Sequence, residues 1–418
     1  MKVLVLGSGA REHTVAWKFA QSKRIAGLYI APGNAGTEEF GENLPEINPT
    51  DAESIVKTCK DKKIDLVFIG PEDPLALGLV DALSQGGIAA IGPHKAAAAL
   101  ESSKTFSKDF MHRYNIPTAN AVEFDDNLKF EKHIAGSKGK LVVKKSGLAA
   151  GKGVLESENK KELISFGKNI LKSDKLLVED FLIGWEISAF ALTDGEQYVL
   201  LPPCADFKKA GEQDIGANTG GMGAICPVPM VSADLMNEIE RAIIKPTFDG
   251  IKRENLSYKG VLFFGLMITE DGPRLLEYNV RFGDPETQVL LPLIKSDIVN
   301  VCEALINGKI SDFPLQISSD SAVAVVVASK GYPAGYEKGI PVDSLPGTEN
   351  RNFLVFHAST KRNKKGLIVT GGGRCFTVVG IGPNILSANM RAYEAVPGVA
   401  FKGAWSRTDI GQKFFIET

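Results

Sequence analysis

Residues 2–22, KVLVLGSGAREHTVAWKFAQS, decide the fold class. The run KVLVLG is apolar almost throughout, short, and closed by glycine. A strand apolar on both sides is buried on both faces, and the amphipathic stretch after it reads as a helix. The same unit recurs. GLYIAPG (27–33), IDLVFIGP (64–71) and IAAIGP (88–93) are further apolar runs that contain Gly or Pro, with helix-like AESIVKTCKDKK (52–63) among the spacers. Strands alternating with helices predict a parallel sheet. In such sheets ligands sit beyond the carboxyl ends of the strands. The segments leaving those ends are GSGAREH (7–13), APGNAGT (31–37) and GPEDPLALG (70–78).

Further along, the pattern changes. A helix is expected over 102–114, then a strand entering a glycine-rich turn in GKLVVKKSGLAAGKGV (139–154). KLLVEDFL (175–182) reads as a strand, and WEISAFALTDGEQYVLLPP (185–203) as two antiparallel strands turning at Asp194-Gly195. A long loop is expected over 204–229 and one helix over 232–254. A strand pair follows, GVLFFGLMIT and RLLEYNV, turning at Asp271-Gly272. From about Asp320 the chain is rich in β-like runs, including SAVAVVVAS and FLVFHAS. The composition places boundaries near 103 and 320, giving segments 1–103, 104–319 and 320–418.

Of the 418 residues 44% are hydrophobic, enough for sizeable cores. Lys plus Arg (48) nearly balances Asp plus Glu (50), unlike a nucleic-acid-binding chain. The five cysteines form no CxxC pair, so neither a zinc site nor a disulfide framework is expected and a reducing, cytoplasmic setting fits. MKVLVLG reads as a strand, so no signal peptide is expected, and no apolar run reaches the ~20 residues of a membrane span.

Three stretches carry chemistry. In GSGAREH, Gly7 and Gly9 between strand and helix suit an anion, with Arg11 as a partner. Glu12 stands at the third glycine position of the dinucleotide fingerprint, which makes NAD the weaker reading; a bare turn is the bland one. In VVKKSGLAAGKGV, Gly147, Gly151 and Gly153 allow a loop to fold over phosphates beside Lys144 and Lys152, although GxxxxGK[ST] is absent. A flexible hairpin with solvated lysines is the alternative. In LLEYNVRFGDPETQ (275–288), Glu277 and Asn279 are two apart on a strand and share a face. Two oxygen donors suit Mg2+ completed by waters and phosphates. Arg281, on the same face if the strand persists, suits a phosphoryl group or a carboxylate. A solvated strand end remains the competing reading. In VEDFL (178–182), an open strand edge suits adenine and Glu186 a ribose, although alone it reads as an ordinary strand exit. His13, Trp17, Met222 and Met267 read as packing residues.

The order of VLVLGSGAREH, APGNAGT, GLAAGKGV, NTGGMGA, RFGDPETQ, FHASTK and GGGR resembles the glycinamide ribonucleotide synthetases of the ATP-grasp superfamily over essentially the whole chain. NTGGMGA and RFGDPETQ are the most specific motifs. The resemblance implies an N-terminal parallel α/β domain, an ATP-grasp domain with a mobile lid over about 118–190, and a small β-rich C-terminal domain. It implies a carboxylate–amine ligase that joins glycine to 5-phosphoribosylamine at the expense of ATP, through a glycyl phosphate, in purine synthesis. Mg2+ or Mn2+ would sit on Glu277 and Asn279. Lys104, Lys144, Gly151, Gly153, Glu179, Phe181, Leu182 and Glu186 would bind ATP. Arg281, Asp284 and Lys208 would act on the reacting groups. Gly9, the turn Pro32, Gly33, Asn34, Ala35 and Gly36, together with Asp206 and the loop Asn218, Thr219, Gly220, Gly221, Met222 and Gly223, would face the amino acid and the sugar phosphate. The expected partners are these small molecules alone, without nucleic acid or membrane, on a cytoplasmic monomer.

The chain departs from the family pattern at several positions. Lys145-Ser146 stand where a small residue and Asp precede GLAAGKG, and Trp185 stands where Glu is frequent. DFKK replaces DHKR, so Lys209 loses a bidentate fork and Phe207 a polar ring. Ala10 and Ala217 replace Gly and Pro.

Overall fold

The computed structural model describes residues 1–149, 153–347 and 352–415. The opening strand, Lys2–Gly7, pairs in parallel with Gly27–Pro32 on one side and Leu66–Ile69 on the other. Leu66–Ile69 in turn pairs in parallel with Ala89–Pro93. The helix Ala10–Ala20 follows the first strand and buries Val15, Ala16 and Phe19. This is the parallel α/β unit that the apolar runs predict.

The twelve-residue strand Tyr258–Thr269 meets Ala89–Pro93 edge to edge, antiparallel, at Tyr258↔Pro93. Beyond it the sheet continues through Trp185–Thr193, Tyr198–Asp206, Gly223–Cys226, Ser321–Ser329, Arg374–Gly382 and Phe353–His357. One 14-stranded sheet thus runs through all three sequence segments. The two expected hairpins are present, Trp185–Thr193 with Tyr198–Asp206 and Tyr258–Thr269 with Gly272–Asn279. The C-terminal segment also holds the helix Ile385–Ala395 against its strands. Gly380 permits that contact, because a Cβ there would lie 2.0 Å from the Ala388 carbonyl oxygen.

The lid is a separate four-stranded antiparallel sheet, in the order Ala121–Phe124, Leu176–Asp180, Leu141–Lys145, Val154–Ser157. Asp126 and Asn159 cap its two helices, Asn127–Gly136 and Lys160–Ile170, by accepting backbone N–H bonds. Phe124, Phe130, Ile134, Val143 and Leu163 give the lid a core of its own.

Two expectations change. The stretch 204–229 is not all loop: Gly223–Cys226 is a strand whose edge is claimed by Ser321–Ser329, a partner invisible locally. The helix over 232–254 is broken by a π turn at Glu240–Ile244, just before Pro246. Proline lacks the N–H that a continuous α-helix requires, and the wider turn accommodates the loss. No helix among the described residues is long and apolar enough to cross a membrane.

Candidate functional site

A cavity of about 840 Å³ opens between the lid, the hairpin Tyr258–Asn279 and the carboxyl ends of the N-terminal strands. One end is lined by lid residues. The strand Leu141–Lys145 brings Lys144, and the neighbouring strand brings Glu179, with Val142 opposite Glu179 in the register. Lys144 Nζ donates to Glu179 Oε2 at 2.8 Å, and Lys108 Nζ lies 3.3 Å from the same oxygen. Lys104 opens the helix Lys104–Arg113 and reaches the Gly147 carbonyl at 3.4 Å. Burial and the Lys144 charge lower the Lys104 ammonium, against the pull of Glu277. Phe181, Leu182 and Gly153 also line this end, and Lys140 Nζ sits 3.6 Å above the Phe181 ring centre. Gly151 and Lys152 lie outside the described residues.

At the middle of the cavity stand Glu277 and Asn279. Tyr278 between them points the other way, its hydroxyl 2.8 Å from Thr247 Oγ1 in the core, as strand alternation requires. Among the described residues no hydrogen bond or ion pair occupies the Glu277 carboxylate or the Asn279 amide. Burial pushes the Glu277 carboxyl up, but Lys208, Lys144, Lys104 and Arg281 together hold it below the ordinary carboxylate range. An ionised carboxylate beside an amide oxygen, both open to the cavity, fits a hard divalent cation that keeps other oxygen ligands. Among the described residues no cluster of three or more His, Cys, Asp or Glu supplies an all-protein metal cage.

The strand ends at Asn279, so Arg281 does not continue its face. The Val280 N–H leaves the ladder to bond Glu101 Oε2 at 2.7 Å. That turn delivers Arg281 to two carboxylates from the N-terminal segment. Its Nη2 is 2.8 Å from Glu101 Oε1 and its Nε 3.3 Å from Glu72 Oε2. The Nε–H is buried without a well-directed acceptor among the described residues.

The far end gathers Asp206, Lys208, Asp284 and Glu286, and Glu186 is tied to it through Lys208. Lys208 pairs with Glu186 and lies 3.9 Å from Asp206. Burial raises the Asp206 carboxyl, more than Lys208 offsets. Burial, helped by the Asp206 charge, pushes Glu286 up to about 7, with Ser188 Oγ donating to its Oε1 at 3.1 Å. Arg374, from the C-terminal segment, closes this end. Its Nη2 meets Asp284 Oδ2 at 3.0 Å and its Nη1 meets the Asp284 carbonyl at 3.0 Å and the Gly220 carbonyl at 2.5 Å. Asn218, Thr219 and Gly220 line the cavity beside it.

Other residues named from the sequence lie elsewhere. Gly221 lies behind the cavity wall, where a Cβ would meet Pro285 at 2.4 Å. Met222 and Gly223 belong to the core and sheet: Met222 is fully buried and Gly223 pairs with Val325. The turn Pro32, Gly33, Asn34, Ala35, Gly36 does not line the cavity. Asn34 uses its amide within the protein, donating to the Ser8 carbonyl at 2.9 Å and the His357 carbonyl at 3.0 Å. Gly36 sits between the His13 and His357 rings. Gly9 borders the far end, where a Cβ would lie 3.7 Å from Asp284 Oδ2. Its N–H is taken by Glu12 Oε2 at 2.7 Å, and Arg11 pairs with Glu12 at 2.6 Å. The anion expected at this helix start is therefore the protein's own carboxylate, which the macrodipole favours as it would a phosphate.

Among the cavity residues not singled out from the sequence, Glu72, Glu101, Lys108 and Arg374 form ion pairs with those that were. Glu72 stands in GPEDP at a strand's carboxyl end, and Arg374 in the motif GGGR, so both had a signal. Glu101 and Lys108 lie in helical stretches, where one charge looks like any other. Three of the departures are also accommodated. Lys145 lies 3.7 Å from Asp174, Ser146 bonds Thr105 at 3.0 Å, and Phe207 is buried under Arg407 and Lys413.

Residues 1–101 match the N domain of phosphoribosylglycinamide synthetase, 102–287 its ATP-grasp (A) domain and 322–413 its C domain. The chain is 42% identical over 429 residues to the phosphoribosylamine–glycine ligase of Rhodopirellula baltica, covering 99% of this chain and 98% of that protein. It is 43% identical over 422 residues to the trifunctional purine biosynthetic protein adenosine-3 of Gallus gallus, but spans only 42% of that longer protein. The crystal structure of phosphoribosylamine–glycine ligase from Thermotoga maritima superimposes with a TM-score of 0.86 at 34% identity, covering 98% of this chain and all of that one.

Proposed function

The chain belongs to the phosphoribosylglycinamide synthetase family and is an ATP-grasp ligase; on that premise we propose the following reaction and residue roles. The enzyme is a phosphoribosylamine–glycine ligase of purine biosynthesis: glycine, 5-phosphoribosylamine and ATP give glycinamide ribonucleotide, ADP and phosphate. The observation that carries this reading is one cavity that gathers Lys104, Lys144, Glu277, Asn279, Arg281 and Asp284 from three separate stretches. The segments 1–103, 104–319 and 320–418 act as three domains, with a lid over about 121–180 closing on the cavity, shorter than the expected 118–190 because Trp185–Thr193 pairs into the main sheet.

ATP lies between lid and hairpin, its adenine against the Glu179–Leu182 edge, its ribose toward Glu186 and its phosphates toward Lys104, Lys144 and the loop containing Gly151 and Gly153. Glu277 and Asn279 would hold Mg2+ or Mn2+, which would neutralise phosphate charge when bound. In the first step a glycine carboxylate oxygen attacks the γ-phosphorus and the bond to ADP breaks. Arg281, held by Glu72 and Glu101, faces the transferring group and stabilises its charge. In the second step the sugar amine attacks the glycyl carbonyl, phosphate leaves, and the amine sheds a proton. Asp284, fixed by Arg374, and Lys208, beside Asp206, orient the two substrates near Asn218–Gly220, with Gly9 at the border. Lid closure keeps water from the acyl phosphate. The enzyme works as a cytoplasmic monomer on these small molecules.

The test is ADP release with Mg2+-ATP, glycine and phosphoribosylamine made in place from ribose 5-phosphate and ammonia. Release that needs both glycine and the sugar amine is expected. Turnover with bicarbonate, formate or D-alanine in place of glycine would overturn the substrate assignment.

A further inference from the structure

Glu179 is 2% exposed, and its carboxylate has two ammonium neighbours rather than one. Both approach Oε2, Lys144 at 2.8 Å and Lys108 at 3.3 Å. The two lysines are held very differently. Lys108 Nζ also donates to Thr118 Oγ1 at 2.7 Å and lies 3.3 Å from the Ala119 carbonyl. An ammonium has three N–H donors, so three acceptors saturate Lys108. Lys144 has Glu179 as its one partner among the described residues, which leaves two donors for acceptors in the cavity.

We propose that Lys108 is a positioning residue for the nucleotide, the standing counter-charge of Glu179 that lets Lys144 exchange its carboxylate for a phosphate. The charge count supports this role. With both lysines present the group is singly positive at rest. When Lys144 turns to a phosphate, Glu179 and Lys108 remain as a neutral, hydrogen-bonded pair. Without Lys108, the same movement strands a buried carboxylate, which is strongly unfavourable. Lys144 would then stay on Glu179 and be lost to the nucleotide. Burial, with the Lys144 charge, pushes Lys108 down to about 8 against the pull of Glu179. Departure of Lys144 removes one of those two causes and strengthens the remaining pair.

The inference rests on the ATP site proposed above, but its readout is equilibrium binding of Mg2+-ATP to the full chain without glycine or phosphoribosylamine. Lys108→Met is expected to weaken ATP binding by roughly a hundredfold, and Lys108→Arg to recover most of it. Lys108→Met combined with Glu179→Gln should bind ATP at least roughly tenfold more tightly than Lys108→Met alone, because a neutral amide no longer retains Lys144. A merely structural lysine predicts the opposite, a double variant no better than the single. Unchanged affinity in Lys108→Met, or no recovery in the double variant, would overturn the proposal. Should Lys108→Met not fold, Glu179→Gln and the double variant carry the comparison. Equal affinities are then expected, and a further loss in the double would overturn the role. A wild type that binds ATP but does not turn over glycine and the sugar amine would refute the ligase reading alone.

Discussion

Acidification should unfold this protein earlier than its carboxylates alone require, because two histidines are buried without charge where the first and last segments meet. His13, on the helix Ala10–Ala20, accepts the His357 backbone N–H on Nδ1 at 2.7 Å. His357 Nδ1 lies 3.0 Å from Thr360 Oγ1. Phe40, Phe356 and Phe376 pack around the two rings, and the charged groups on this side are Arg362 and its partner Glu38. Burial, then the charge of His357, pushes His13 down to about 3. Burial, then Arg362, pushes His357 down to about 4. The unfolded chain binds these protons near pH 6.5. Below that pH the unfolded state takes up protons that the folded state refuses, so stability falls between pH 6.5 and about 4. From pH 7 to 5 each histidine costs about 2 kcal/mol, and the pair about 4 kcal/mol. That is a large share of the roughly 5–15 kcal/mol typical of a folded protein. His13→Asn keeps an acceptor near the Nδ1 position and removes one titration. Urea melts at pH 7, 6 and 5 should show the pH-dependent loss shrinking by about 2 kcal/mol in this variant, with the carboxylate contributions cancelling. The same pH dependence in variant and wild type would refute the reasoning.

Glu277→Gln should lower metal-dependent ATP turnover by roughly a hundredfold while the far-ultraviolet spectrum stays the same; unchanged turnover would remove Glu277 from the metal site. Arg281→Lys should lower kcat far more than ATP affinity, since a point charge cannot replace a fork divided between Glu101 and Glu72. Equal loss in both would mark simple binding. Arg374→Met should raise the KM for the sugar amine or glycine and leave ATP binding within about twofold, as Arg374 touches Asp284 and Gly220 rather than the lid. Gly380→Val should cost at least about 3 kcal/mol in a chemical melt, because its Cβ falls on the Ala388 carbonyl.

Much of the scaffold is legible in the sequence because its strands are continuous apolar runs with glycine or proline at their ends. The hairpins at Asp194-Gly195 and Asp271-Gly272 follow from turn chemistry alone. The strand Gly223–Cys226 is not legible, since it is only four residues long and the partner on its far edge begins almost a hundred residues later. The site divides in the same way. Glu277 and Asn279 are found by strand alternation, and Lys144 by its place before a glycine-rich turn. Lys108 and Glu101 sit in helices whose buried face includes charge, and only the apposition of the lid or of Arg281 distinguishes them from solvated residues. Glu12 shows the converse. The glycines around it look like a ligand cradle, yet a side chain three residues into the helix already fills the space.

The shared sheet also has a mechanical consequence. The strand Tyr258–Thr269 touches the parallel strands at one end and the antiparallel hairpin along its length. Rupture of either neighbour strips backbone bonds from the other, so the first, middle and last segments are expected to melt as one cooperative body. The lid has no strand in that ladder and a core of its own. Its amides should therefore exchange with heavy water through local openings long before the spine does. A pulse of deuterium would then divide the chain into a fast block over about 121–180 and a slow remainder. The sheet that carries Lys144 and Glu179 is thus insulated from the sheet that carries Glu277 and Asn279.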